Sequence, residues 1–325
     1  MSDLHVDDSV SILSDPESTV ELHPAYPFID DDADVILRTT SSDGVVDFKV
    51  HKIILSKASP FFSGMFTLPQ SPNAGQECLD GKPIIDCVET PTAMRLLLLY
   101  IYPGEDPTIT NLVDLSVLLD AAIKFEIEYV AAKARQLWTA LVPEDPLRGF
   151  AIACLRRWDR EACAAARVAL REDIWPLQPI PIPEYERVSG NTILRLQRYH
   201  AACAVAARNL ALSNREQWLH ALHSEQCEHC SNHGSKHVDS TRTALMMSNW
   251  MTKYLNIVAE ELTLRPSPAT AVNPAVISRT IKEAFDPGFQ CDLTSYNIDM
   301  LNRFVKHFSQ KLEIVLCSID PELEL

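Results

Sequence analysis

Between residues 34 and 140 the alternation of apolar and polar positions changes period several times, and each change marks an element. Asp34 to Thr40 is rich in β-branched residues. Ser41-Ser42-Asp43-Gly44 has turn chemistry, and Val45 to Val50 alternates back, so the stretch predicts a hairpin. From Ile53 the spacing becomes helical. Leu55, Ser59, Phe62 and Phe66 fall at i, i+4, i+7 and i+11, one face of a helix, a buried stripe that puts Phe62 in the core of the module. Leu68 to Lys82 is turn-rich, and Ile84 to Val88 predicts a third strand. Thr90-Pro91 opens a helix through Leu96 to Tyr100 that stops at Pro103-Gly104, where the residue types end helices. Leu112 to Trp138 repeats at helical spacing with a break near Glu126 to Tyr129. Such an order predicts a small α/β (α+β) module with helices covering a short sheet.

Beyond it the pattern is helical. Pro143 to Leu170 predicts two helices broken near Trp158-Asp159, the second rich in alanine. Residues 176–188 are proline-dense and favour extended polyproline geometry, a semi-rigid linker rather than an SH3-type ligand because no basic residue flanks the prolines closely. Helices are expected at 189–212, 241–264, 274–285 and 297–317. In the last, Ile298, Leu301, Phe304, Val305, Phe308, Leu312 and Val315 form one stripe.

Composition narrows the function classes. The chain has 325 residues and a net charge of −15. Ten acidic residues lie between Asp3 and Asp34, ahead of the first basic residue, Arg38. Residues 1–24 therefore read as a disordered acidic tail in which Ser14 is a candidate phosphorylation site. So acidic a chain lacks the basic surface that nucleic-acid binding needs. Apolar runs such as Leu96 to Tyr102 fall far short of the ~20 residues that span a bilayer. The first 30 residues lack the pattern of a secretory leader, and nine scattered cysteines suit reduced thiols, so an intracellular location in cytoplasm and/or nucleus is expected.

Chemistry-bearing motifs are sparse. Gly75 to Lys82 misses phosphate-loop spacing by one residue and carries Pro83 where magnesium binding needs Ser or Thr. Hydrolase, dinucleotide and zinc-protease motifs do not occur, so no catalytic or cofactor-binding residues are assigned. One cluster suits metal: Cys227, Cys230, His233 and His237, a Cys-x-x-Cys pair followed by two imidazoles. Two readings stand for it, a structural zinc site or a polar exposed loop in which these residues coincide.

The residues carry a family likeness. Asp34-Val35, the spaced set His51, Leu55, Ser59, Phe62 and Phe66, and Tyr100-Ile101-Tyr102-Pro103-Gly104 resemble the signature of the BTB/POZ domain over about residues 25–140. Residues 141–175 look like the BACK-like helical extension that follows many such domains, and a long helical tail over 189–325 is similar to fungal-type members. The resemblance implies a non-enzymatic interaction module. Asp34 and His51 would help shape the module and its self-association surface, although a purely structural role for both is open. The implied partners are a second copy, giving a homodimer, or a cullin-type scaffold, making the chain a substrate adaptor of a ubiquitin ligase. An N-terminal helix of the kind that swaps between dimeric members is poorly supported, since only Val10, Ile12 and Leu13 would furnish it. Two alternatives stay open: a transcriptional or chromatin co-regulator without a DNA-binding motif of its own, and an enzyme with an unrecognised site in 190–320.

Overall fold

The computed structural model describes residues 25–42, 44–68, 77–174, 182–213, 235–238, 244–247, 249–284 and 295–322. The tail 1–24, most of the proline-dense stretch, and Cys227, Cys230 and His233 lie outside the described residues. Contacts divide the chain into two compact units. The first comprises the residues up to Ile109 together with Val117–Ala134, and the second comprises Thr110–Ser116 together with everything from Arg135 onward.

The first unit is built on a four-stranded sheet of order β2-β1-β4-β3. Strands β1 (Val35–Ser41) and β2 (Gly44–Val50) form the predicted antiparallel hairpin, with Val35 opposite Val50 and Ser41 opposite Gly44. Gly44 has φ +131, a conformation that L side chains rarely adopt, so this turn requires glycine. Strand β4 (Lys82–Cys87) lies parallel to β1, Ile36 opposite Ile84, as the long crossover between them allows. A two-residue strand β3 (Cys78–Leu79), absent from the sequence reading, pairs with β4 across Asp80-Gly81. Both turn residues have positive φ, 53 and 75, and Asp-Gly is the residue pair that such tight hairpins favour. Val35, Ile36, Leu37, Phe48 and Val50 are fully buried.

The single helix expected from Ile53 is two. Helix α1 (Lys52–Ala58) ends and α2 (Pro60–Thr67) begins at Ser59, which holds extended geometry at φ −140, ψ 118. The cause is Pro60, which disfavours helical geometry in the residue before it and is itself tolerated at a first helical position. Ser59 is 0% exposed. Its hydroxyl accepts from Phe62 N at 3.1 Å and donates to the carbonyl of Phe125 at 2.5 Å, so it caps α2 and ties it to a distant corner. Phe62 is buried and stacked on Phe125, ring centroids 4.8 Å apart. Helix α3 (Pro91–Ile101) starts at Thr90, which caps Ala93 N, and buries Met94, Leu97 and Leu98. Helices α4 (Leu112–Lys124) and α5 (Glu128–Leu141) are separated at Phe125 to Ile127, where Glu126 has φ +55.

The second unit is mainly helical. Helix α6 (Pro146–Leu155) packs on α7 (Asp159–Ala169), whose buried stripe Ala162, Ala165, Ala166 and Ala169 permits close approach. The expected linker ends differently: Pro183–Arg187 is a 3-10 turn that packs on α6, with Glu184 buried 3.3 Å from Arg148. An ion pair and apolar contact outweigh the extended preference of isolated prolines there. Helix α8 (Gly190–Leu212) follows. Residues 241–264 are not one helix, since a hairpin of β5 (Ser235–Val238) and β6 (Ala244–Met247) precedes α9 (Asn249–Leu264). Then come α10 (Pro268–Ala271), α11 (Pro274–Ala284) and α12 (Ser295–Cys317). The expected α12 stripe is present: Phe304 and Phe308 pack edge-on against Trp250 and Tyr254 of α9. No helix among the described residues is long and apolar enough to cross a membrane.

Candidate interaction surface of the first unit

The first amides of a helix lack intrahelical partners, and those of α1 are satisfied from elsewhere in the sequence. Asp34 Oδ1 accepts from Lys52 N at 2.7 Å, and Tyr102 Oη accepts from His51 N at 2.7 Å. Asp34, His51 and Tyr102 thus meet at one corner, joining the start of β1, the start of α1 and the end of α3. His51 Nδ1 lies 3.2 Å from Tyr102 Oη, and its Nε2 lies 3.3 Å from Asp32 Oδ1. Phe28 closes the corner edge-on against the Tyr102 ring at 5.1 Å. Burial, with Asp34, Asp30 and Asp32 nearby, pushes the Tyr102 hydroxyl up to about 12 against the His51 amide bond, so it stays protonated at neutral pH.

The other signature residues divide by role. Leu55 and Phe62 are buried, Phe66 is half-buried and stacks on Phe62, and Ser59 is the hinge. Gly104 is exposed, has no positive φ, and a side chain there would meet nothing within 4 Å, so the backbone does not require glycine at that position. Of the proposed zinc ligands only His237 falls in a described element, β5. Among the described residues no group of His, Cys, Asp and Glu is arranged to hold a metal. The half-buried thiols Cys87 and Cys154 are pushed up to about 12, first by burial, which leaves them poor nucleophiles.

The feature that sequence reasoning missed is an apolar face. Ile53 is 62% exposed and Tyr129 49%, with Phe61 and Ile123 also open to solvent. Two depressions, about 390 Å³ beside Ile53, Ile54 and Pro103 and about 560 Å³ beside Pro60, Ile123 and Ile127, share Ala58 and Tyr129 as a common rim. The Tyr129 hydroxyl donates to the Tyr100 carbonyl at 2.8 Å, which fixes this rim. The charged residues lining them are Lys57, Glu126 and Glu128. A helical pattern assigns such residues to a face but does not show which face stays uncovered. Concave apolar surface without convergent ionisable groups suits a protein partner better than a reaction.

A helix-covered sheet presenting such a face is an interaction module. Residues 30–140 match the model of the BTB/POZ domain, and this part of the chain is a BTB/POZ domain. A curated relative, Kelch-like ECH-associated protein 1A of Danio rerio, is 42% identical over 57 residues, covering 15% of this chain and 10% of the relative. The chain thus spans about a tenth of the length of that relative.

Proposed function

We propose that this chain acts through protein contacts, with its BTB domain engaging a second copy of itself through the apolar face around Ala58 and Tyr129. The observation that carries this reading is the pair of depressions sharing one rim, with Ile53, Phe61, Ile123 and Tyr129 exposed on α1, α2, α4 and α5. In this reading the helical second unit holds a further partner, and linking two sites in one chain raises the effective concentration of one for the other. Sedimentation of the full chain at micromolar concentration is expected to show a dimer that Ile53→Asp converts to monomer with an unchanged melting temperature. A monomeric parent chain would remove self-association.

Docking to a cullin-type scaffold, as BTB adaptors of ubiquitin ligases do, is the second reading. The matched domain and the likeness to the Kelch-like relative favour it. Co-purification of the full chain with a cullin amino-terminal domain, lost in Tyr129→Asp, is the expected result. In either case the site of action is proposed to be intracellular, and catalysis is not assigned.

A further inference from the structure

The two depressions of the first unit carry charge of opposite sign. Lys57 of α1 lines only the smaller one, whereas Glu126 and Glu128, at the break between α4 and α5, line only the larger one. All three side chains are exposed. Ala58 and Tyr129 alone line both depressions, so the rim they form separates the positive side from the negative. Each side also presents one exposed isoleucine, Ile53 beside Lys57 and Ile123 beside the two glutamates.

The acidic side is held in place by its backbone. Glu126 N donates to the Ile123 carbonyl at 3.1 Å and Ile127 N to the Ala122 carbonyl at 2.8 Å, which closes the corner around the positive φ of Glu126. Lys124 and Lys133, which flank this corner in sequence, pair instead with Glu89 and Asp106.

A surface divided in this way is complementary to itself. In a closed two-fold dimer the same patch serves both subunits, so a contact of one residue with another occurs twice. A two-fold axis through the Ala58 and Tyr129 rim lays the smaller depression of one copy over the larger depression of the other, and Lys57 then faces Glu126 and Glu128 on both sides of the axis. An arrangement that lays each depression on its own copy would bring like charges together, which costs affinity.

We propose that the occupant of this face is a second copy docked about that axis, with Lys57 of each subunit facing Glu126 and Glu128 of the other. This orientation rests on the self-association proposed above and adds to it the three residues that choose the partner. The apolar rim supplies contact area, and the charges fix register.

The test uses the full chain, by sedimentation and by native mass spectrometry at micromolar concentration. Lys57→Glu, and separately Glu126→Lys with Glu128→Lys, are each expected to weaken the dimer at least about tenfold, because like charges then face each other on both sides of the axis. All three substitutions in one chain invert the pairs and are expected to restore dimerisation to within about threefold of the parent. Mixing the Lys57→Glu chain with the Glu126→Lys, Glu128→Lys chain is expected to give the heterodimer in preference to either homodimer, a result that loss of folding cannot produce. A monomeric parent chain overturns self-association and this orientation together. A dimeric parent that is indifferent to the three substitutions, or weakened variants that neither recover in the combined chain nor pair with each other, overturns the orientation alone.

Discussion

Ser59 does the work of two residues, ending α1 and opening α2 while its hydroxyl satisfies the buried carbonyl of Phe125. Ser59→Ala removes a cap and strands that carbonyl, and is expected to cost about 2–4 kcal/mol, read as a lower denaturant midpoint. Phe62→Ala leaves a void beside Phe125 and Phe66 and is expected to cost about 3–5 kcal/mol by the same measurement. His200 provides a pH test in the second unit. It is 1% exposed with Nε2 3.3 Å from the Glu172 carbonyl, and burial holds its imidazole below the usual value of 6.5 despite that carbonyl. The unfolded chain therefore takes up the proton first as pH falls below about 6.5, and stability present above that pH is lost as pH drops through the folded value. A falling melting temperature between pH 7.5 and 5, flattened by His200→Gln, is the expected outcome. At this scale the burial of Leu55 and Phe62 was legible from spacing alone. The meeting of Asp34, His51 and Tyr102 was not, because it joins positions 51 residues apart through tertiary structure.

Among the elements, the hairpin, β4, α3 and the α4–α5 break follow the hydrophobic period, since one buried face enforces it. Two departures had local signals. Ser59-Pro60 marks a helix boundary that apolar spacing runs straight across, and Asp80-Gly81 marks the β3–β4 turn. The β5–β6 hairpin is different: Ala244-Leu245-Met246-Met247 is an apolar run that helix and strand accommodate alike, so pairing decides. Gly149 fixes how α6 sits. A Cβ there would meet Val142 Cγ2 at 2.6 Å, and its carbonyl accepts from Trp138 Nε1 at 3.1 Å. Gly149→Ala is expected to destabilise the second unit by about 1–3 kcal/mol despite its better helix propensity, seen as a lower melting temperature.

For the molecule as a whole, composition argues against a general nucleic-acid surface but does not locate any interaction surface. Ile53 and Tyr129 are large apolar residues in helical stretches and become recognisable as one surface only once the uncovered face is known. The proposed zinc set Cys227, Cys230, His233 and His237 predicts close to one equivalent of zinc in protein purified without added metal. Less than about a tenth of an equivalent, with unchanged stability in Cys227→Ser, would leave the exposed-loop reading.

The sheet of the first unit has blunted margins. Strand β3 offers two residues, and at the other margin the outward amide of Lys49 on β2 is taken by the Phe28 carbonyl at 3.0 Å. A visiting chain that tried to lengthen the sheet would meet a two-residue strand at one margin and an amide already bonded at the other, features that discourage edge-to-edge pairing. Partners are thereby steered toward side-chain recognition on helices, where single substitutions can retune choice without disturbing the sheet.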